Sequence, residues 1–149
     1  MTLPILDSVA VLGAGALGAF YASQFFQAGF ATTFIARGAR CAELAQKGVV
    51  VNERPFPIPV THPDDAAPVD MVIVALKHHH LAAALPDLRP FVGEHTLILS
   101  VMNGLDSEAI IGEVVGPEKV LYCVAVGIDA VRDGPCVNYS APGKLFFGE

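Results

Sequence analysis

Apolar side chains in this chain cluster in short unbroken runs rather than alternating with polar ones, and glycines or helix-like stretches separate the runs. Ser8-Val-Ala-Val-Leu12 is the first run, and it closes on Gly13. Consecutive apolar positions suit a strand covered on both faces, as in a parallel sheet. Ala16 to Ala28 lacks proline, has the apolar content of a buried helix, and meets Gly29 as a C-terminal stop. Ala31-Thr-Thr-Phe-Ile35 reads as a second strand, and Ala39 to Gln46 as a second helix ending before Gly48. Val49 to Val60 carries Pro55, Pro57 and Pro59, which predicts an irregular hairpin at a sheet edge or outside the sheet. Asp70 to Leu76, Thr96 to Val101 and Val120 to Ile128 are further buried strands. Helices are expected over Leu81 to Leu88, with Pro86 shortening or kinking it, and over Ser107 to Val115. Pro135 to Glu149 is expected to form a hairpin turning at Pro142-Gly143.

Strands alternating with helices over short connections give right-handed parallel βαβ units. The expected fold is therefore α/β, a Rossmann-type doubly wound and mainly parallel sheet with a C-terminal antiparallel hairpin. One domain over residues 1–149 accounts for the whole chain, with no repeat or linker.

Composition narrows the function classes. Apolar residues make up 53% of the chain and the formal net charge is −6, with no basic run. Nucleic acid and anionic membrane both reward clustered Lys and Arg, so neither is expected as a partner. An anionic ligand must then be held by backbone donors and a few placed cations. The stretch from Ser8 to Ala36 has no charged residue and is long enough to span a bilayer. It nevertheless carries Ser23, Gln24, Gln27, Thr32 and Thr33, and Asp7 stands where a signal peptide would have a basic region. A buried strand-helix-strand unit explains the run better. Cys41, Cys123 and Cys136 show neither disulfide nor metal-ligand spacing, and each reads as a small apolar residue in a reducing, cytoplasmic protein.

The chemistry starts at Gly13-Ala14-Gly15-Ala16-Leu17-Gly18, a G-x-G-x-x-G lying between a strand and a helix. In such a turn the first glycine permits the bend, the second lets backbone approach a pyrophosphate, and the third lets helix and strand pack closely. The anion then meets free N–H groups at a helix N-terminus. Dinucleotide sites for NAD usually carry an acid near the end of the second strand. Here that strand ends Ile35-Ala36-Arg37-Gly38, with Arg40 following. Arg37, with Arg40 as a weaker candidate, suits a 2′-phosphate, which favours NADP(H). Lys77 and Asn103-Gly104 fall at strand ends that face the same crevice. They suit an anionic substrate, a hydroxyl or carbonyl, or the cofactor's ribose. His78-His79-His80 cannot converge on one ion from consecutive positions, so no metal is expected; one of the three could line the crevice beside Lys77. Asp129 and Asp133 read as turn acids, and Ser100 and Ser140 have no identifiable base.

In order along the chain, Gly13 to Gly18 with Phe20-Tyr21, Ile35 to Gly38, Val74 to Lys77, Met102 to Leu105, Ala130 to Gly134 and Gly143 to Gly148 resemble the N-terminal domain of ketopantoate reductases (2-dehydropantoate 2-reductases). The resemblance implies NADP contacts from Gly13, Ala14, Gly15, Ala16, Leu17, Gly18, Arg37, Lys77, Asn103 and Ala130. It gives Lys77 a binding and positioning role and places Asn103 near substrate. The implied reaction is NADPH-dependent reduction of a 2-keto acid, ketopantoate, to its 2-hydroxy acid on the way to pantothenate and coenzyme A. Lys77 with Asn103-Gly104 separates this family from 6-phosphogluconate-like and other 2-hydroxy acid dehydrogenases. Family members also carry a helical domain that supplies the general-acid Lys, and this chain reaches Glu149 where that domain would begin. The expectation is cofactor binding with little turnover by these residues alone, and a possible homodimer. The alternative is a stand-alone nucleotide-binding or redox-sensing module.

Overall fold

The buried runs pair side by side, and their order places the glycine turn at the centre of the sheet. The computed structural model describes residues 5–149. Along the chain run β1 (Ser8–Leu12), α1 (Ala16–Gln27), β2 (Ala31–Ile35), α2 (Gly38–Lys47), β3 (Val49–Val51), β4 (Arg54–Phe56) and β5 (Val60–Thr61). There follow β6 (Val69–Val74), α3 (His78–Leu88), β7 (Val92–Ser100), α4 (Ser107–Val115), β8 (Val120–Ile128), β9 (Val131–Asp133), β10 (Cys136–Asn138) and β11 (Pro142–Gly148). The main sheet has the order β11-β8-β7-β6-β1-β2-β5. All its neighbouring strands are parallel except β11, which pairs antiparallel with β8. This is the Rossmann-type arrangement the hydrophobic runs predict.

Unbroken apolar strands follow from coverage on both faces. Val9, Val11, Ile73, Leu99 and Val101 point into one core, which α1 closes with Ala19, Phe20 and Ala22. Ala10, Leu12, Val72, Val74 and Ile98 point into the other, which α3 and α4 close with Leu81, Leu85, Leu88 and Ile111. Each fully buried side chain of this size contributes about 1.5–3 kcal/mol, so β1 and β6 are anchored from both sides. At the N-terminal edge of these strands the Asp70 carboxylate accepts from the Asp7 and Ser8 amides and the Ser8 hydroxyl, each at 2.9 Å. These bonds hold that carboxyl below the usual aspartate range.

The structure differs from the sequence pattern in three places. First, α3 begins at His78, one turn before the apolar residues, and continues through Pro86. Leu81, Leu85 and Leu88, all on the buried face, outweigh the lost hydrogen bond. Second, β7 starts at Val92 because backbone pairing to Val69 does not need apolar side chains at Gly93, Glu94 and His95. Third, the tail is not a hairpin turning at Pro142-Gly143. β9 and β10 form that hairpin, and β10 also lies parallel to β3 in a separate four-stranded sheet of order β4-β3-β10-β9. Pro142 instead opens β11, which returns to β8. The Asp129 carboxylate closes that return by accepting from the Ser140 and Ala141 amides and the Ser140 hydroxyl.

The three cysteines are free. Cys123 is buried, whereas Cys41 and Cys136 are only partly covered. Among the described residues no helix is long and apolar enough to cross a membrane.

Candidate functional site

The sheet order reverses at β1, with β2 on one side and β6 on the other. Ligands in open α/β sheets bind beyond the carboxyl ends of the strands at such a switch. Gly13 follows β1 at this point with φ +105°, and a Cβ there would overlap the Ala75 carbonyl oxygen and lie 2.8 Å from its carbon. Only glycine can make this turn against β6. Gly18 meets the same loop from within α1: a Cβ would overlap the Gly13 carbonyl oxygen and lie 2.8 Å from its carbon. Gly15 is different. Its φ is −77° and nothing lies within 4 Å of a Cβ built on it. Neither strain nor protein packing calls for glycine there, which leaves open approach from the groove.

Gly15 is the N-cap of α1 and offers no side-chain cap. The first helical bond runs from the Ala19 amide to the Gly15 carbonyl at 2.9 Å. Among the described residues the amides of Ala16, Leu17 and Gly18 have no partner, as at any uncapped helix start. The Ala14 carbonyl is taken by two guanidinium groups. Arg132 Nη1 donates to it at 2.8 Å and Arg40 Nη2 at 3.2 Å. A peptide's C=O and N–H point in opposite directions, so this grip also fixes where the Gly15 amide aims. Free helical amides, an aimed amide and a position kept bare of Cβ together form an anion cradle.

Two cavities flank the cradle. The larger, about 460 Å³, runs over Gly13 to Gly15 towards Ala36, Arg37, Arg40 and Arg132. The second, about 410 Å³, runs from Gly15 to Leu17 towards Val101, Met102 and Asn103. Ala75, Leu76 and Lys77 line both, so they form one groove across the strand ends. The two lobes meet at the Gly15 turn, so a ligand lying across that turn would reach into both. Four of the nine Lys and Arg residues of the chain line the larger lobe: Arg37, Arg40, Lys77 and Arg132. Desolvation, then the like charge of Arg40, pulls the Arg132 guanidinium below its ordinary pKa. Clustering cations against one another costs energy unless an anion offsets it, and Glu43 does so in part by accepting from Arg40 Nη1 at 3.0 Å.

The structure brings Gly13, Ala14, Gly15, Ala16, Leu17, Arg37, Lys77 and Asn103 onto this groove. Gly18 acts from beneath through packing. Ala130 lies in the β8–β9 connection, packs against the core on the α1 side, and lines neither lobe. His80 lines the larger lobe beside Lys77, and His78 the smaller. Ser100 bonds to the Ser107 hydroxyl at 2.8 Å. Ser140, in contrast to the expectation, does meet a base, since its hydroxyl donates to the Asp129 carboxylate, but this pair closes the return to β11 and lines neither lobe. Arg132 has no assigned role in the sequence reading beyond its place in the Ala130 to Gly134 motif, and Arg40 is read there only as a weaker phosphate ligand. Arg132 lies 118 residues from Ala14, and it is the β9–β10 sheet that carries it to the loop. Only the Arg-Asp-Gly turn at the end of β9 hinted at an ordered position.

A family model described as ketopantoate reductase PanE/ApbA matches residues 9–149. A 2-dehydropantoate 2-reductase of Mesorhizobium japonicum is 26% identical over 92% of this chain and 48% of its own length. The crystal structure of the 2-dehydropantoate 2-reductase from Geobacter metallireducens superposes with a TM-score of 0.83 at 29% identity, over 95% of this chain and 49% of that one. The ternary structure of a D-mandelate dehydrogenase with NADH and anilino(oxo)acetate shares the fold at a TM-score of 0.79 and 23% identity, over 94% of this chain and 47% of that one. The chain spans about half the length of the curated relatives it matches.

Proposed function

The chain belongs to the ketopantoate reductase PanE/ApbA family, and from that membership we propose that it is the NADPH-binding part of an oxidoreductase that reduces a 2-keto acid, ketopantoate, to its 2-hydroxy acid. The carrying observation is the bare Gly15 between two lobes, above helical amides that have no partner among the described residues. Gly15, Ala16 and Leu17 hold the diphosphate through backbone N–H groups. Arg132 and Arg40 keep the loop oriented for it by gripping the Ala14 carbonyl. The larger lobe takes the adenosine half, and Arg37 favours a 2′-phosphate over a bare ribose. The smaller lobe takes the nicotinamide half beside Asn103. When bound, the cofactor supplies the hydride.

In this reading the chain's own side chains bind and orient. Lys77 stands at the junction of the lobes and attracts the carboxylate of a keto acid while holding the cofactor's ribose. Asn103 donates to a substrate oxygen or to the ribose from the opposite wall. Protonation of the developing alkoxide needs a placed acid. We assign that acid to a helical domain of the kind carried by longer family members, so these residues by themselves bind cofactor with little turnover. The expected setting is cytoplasmic. Burial pushes the Cys123 thiol up to about 11, away from the reactive thiolate form, so this cysteine does not favour a redox-sensing role.

Fluorescence titration with NADPH and NADH tests the proposal. Saturable binding with NADPH tighter is expected, together with slow loss of the 340 nm band (the NADPH absorption) on adding ketopantoate. No binding of either nucleotide removes the proposal. Fast turnover by the 149-residue chain removes the assignment of the acid to another domain.

A further inference from the structure

Arg37 is not free in the groove. Its Nη2 lies 2.5 Å from an Asp87 carboxylate oxygen, near the C-terminal end of α3. The Arg37 side chain is 54% exposed, whereas that of Asp87 is only 15% exposed, so the acid sits beneath the guanidinium rather than beside it in water. Among the described residues the Asp87 carboxylate has no other ion-pair partner. The Asp87 bond, and then its charge and that of Asp64, raise the pKa of Arg37, so the guanidinium rests in an acidic notch. No acid stands at the end of β2, where NAD-specific sites carry one. The acid that meets Arg37 comes instead from another helix and contacts the guanidinium itself.

We propose that Asp87 is a specificity-determining residue that competes with the 2′-phosphate of NADP(H) for Arg37 and so narrows the preference for NADP(H) over NAD(H). This rests on the reading of the groove as a dinucleotide site with Arg37 at the adenosine end. A dianionic 2′-phosphate must draw the guanidinium away from Asp87 and approach a carboxylate that it repels. A ribose with a free 2′-hydroxyl meets neither cost. The arrangement leaves affinity for NADP(H) below what a lone arginine would give, while NAD(H) is unaffected by the pair.

The test is the affinity of Asp87→Asn and Asp87→Ser for NADPH, NADH, adenosine 2′,5′-bisphosphate and adenosine 5′-monophosphate. Thermal unfolding is followed alongside, so that the ligand ratios are read on folded protein. Both variants should bind NADPH and the bisphosphate about 10-fold more tightly, with NADH and the monophosphate changed less than about 2-fold. Unchanged or weaker NADPH binding overturns the competition, because Asp87 would then merely orient Arg37. An equal gain for all four ligands overturns it too, because the acid would then be a general repellent. Failure of the unmodified protein to bind any of the four removes the dinucleotide reading itself, which is a different result from either of these.

Discussion

The two glycines that flank the start of α1 should fail in opposite ways when each gains one methyl group. At Gly18 the added Cβ would coincide with the Gly13 carbonyl oxygen and stand 2.8 Å from the carbonyl carbon. Both are backbone atoms, and Gly13 is itself pinned against Ala75. No rotamer change relieves the overlap, so α1 must lift from β1 by on the order of 1 Å to restore ordinary contact distances. Phe20, Ala19 and Ala22 on that helix are all buried, and each would lose contacts in the lift. Overpacking in tight cores costs about 1–3 kcal/mol, and an overlap with fixed backbone belongs at the top of that range or above it. Gly18→Ala should therefore lower the unfolding free energy by about 3 kcal/mol or more.

At Gly15 the added Cβ meets nothing within 4 Å, and φ −77° is open to alanine. Loss of a glycine N-cap and the reduced freedom of the unfolded chain nearly cancel, so stability should move by less than about 1 kcal/mol. On the proposed reading the methyl group projects into the space the diphosphate would take, and NADPH affinity should fall by about 2–3 kcal/mol, or roughly 30- to 150-fold. Chemical denaturation followed by circular dichroism, and titration with NADPH and NADH, measure both quantities on the same samples. The reasoning fails if Gly15→Ala binds NADPH like the unmodified protein, or if Gly18→Ala unfolds at the unmodified midpoint.

Other changes separate the roles of the cations and of one structural acid. Arg37→Ala should weaken NADPH by about 1.5–3 kcal/mol through loss of a charge-assisted contact, and NADH by a few tenths; equal losses in a titration would remove Arg37 from phosphate recognition. Arg132→Met should weaken both nucleotides equally, by about 1.5–3 kcal/mol, because it frees the Ala14 carbonyl rather than a 2′-group; a loss confined to NADPH would contradict the positioning role. Asp70 has a lowered folded pKa, so its contribution is complete above the ordinary Asp value of about 3.9 and disappears as pH falls through the folded value. Stability of the unmodified protein should accordingly drop more steeply than that of Asp70→Asn between about pH 5 and pH 2; parallel curves would show that the three bonds to this carboxylate are worth nothing.

What could be read in the sequence was what local pattern encodes. Covered strands announce themselves as runs of apolar or β-branched residues, so the bounds of β1 and β2 are legible to the residue. The role of Gly13 was legible because a turn against a neighbouring strand needs a residue without Cβ. Pairings between distant segments left no such mark. β10 lies parallel to β3 through Cys136 and Val137, and neither segment shows a period or a turn that would name the other. The same holds for side-chain reach. Arg132 on Ala14 and Asp87 under Arg37 are set by the path of whole elements, and a single arginine or aspartate in a polar stretch looks like solvent-facing charge. Pro86 misled for the opposite reason: a local rule against proline in helices yielded to three buried leucines on one face.

The distribution of charge ties these distant pieces together. A chain of net charge −6 would repel a polyphosphate at long range if its few cations were spread evenly. Instead four of nine gather on one lobe, drawn from three separate places: the start of α2 for Arg37 and Arg40, the start of α3 for Lys77, and β9 for Arg132. Two of the four spend a hydrogen bond on the Ala14 carbonyl, and a third is already paired with Asp87. Only Lys77 is uncommitted among them within the described residues. The lobe is thus positive in sum, but little of that charge can move towards a ligand without leaving a partner behind. Local backbone geometry then decides where an anion rests, and the arginines decide how firmly the backbone holds that geometry. On this account the four-stranded sheet belongs to the site, since removing it would take Arg132 away and leave the glycine turn with one anchor in place of two.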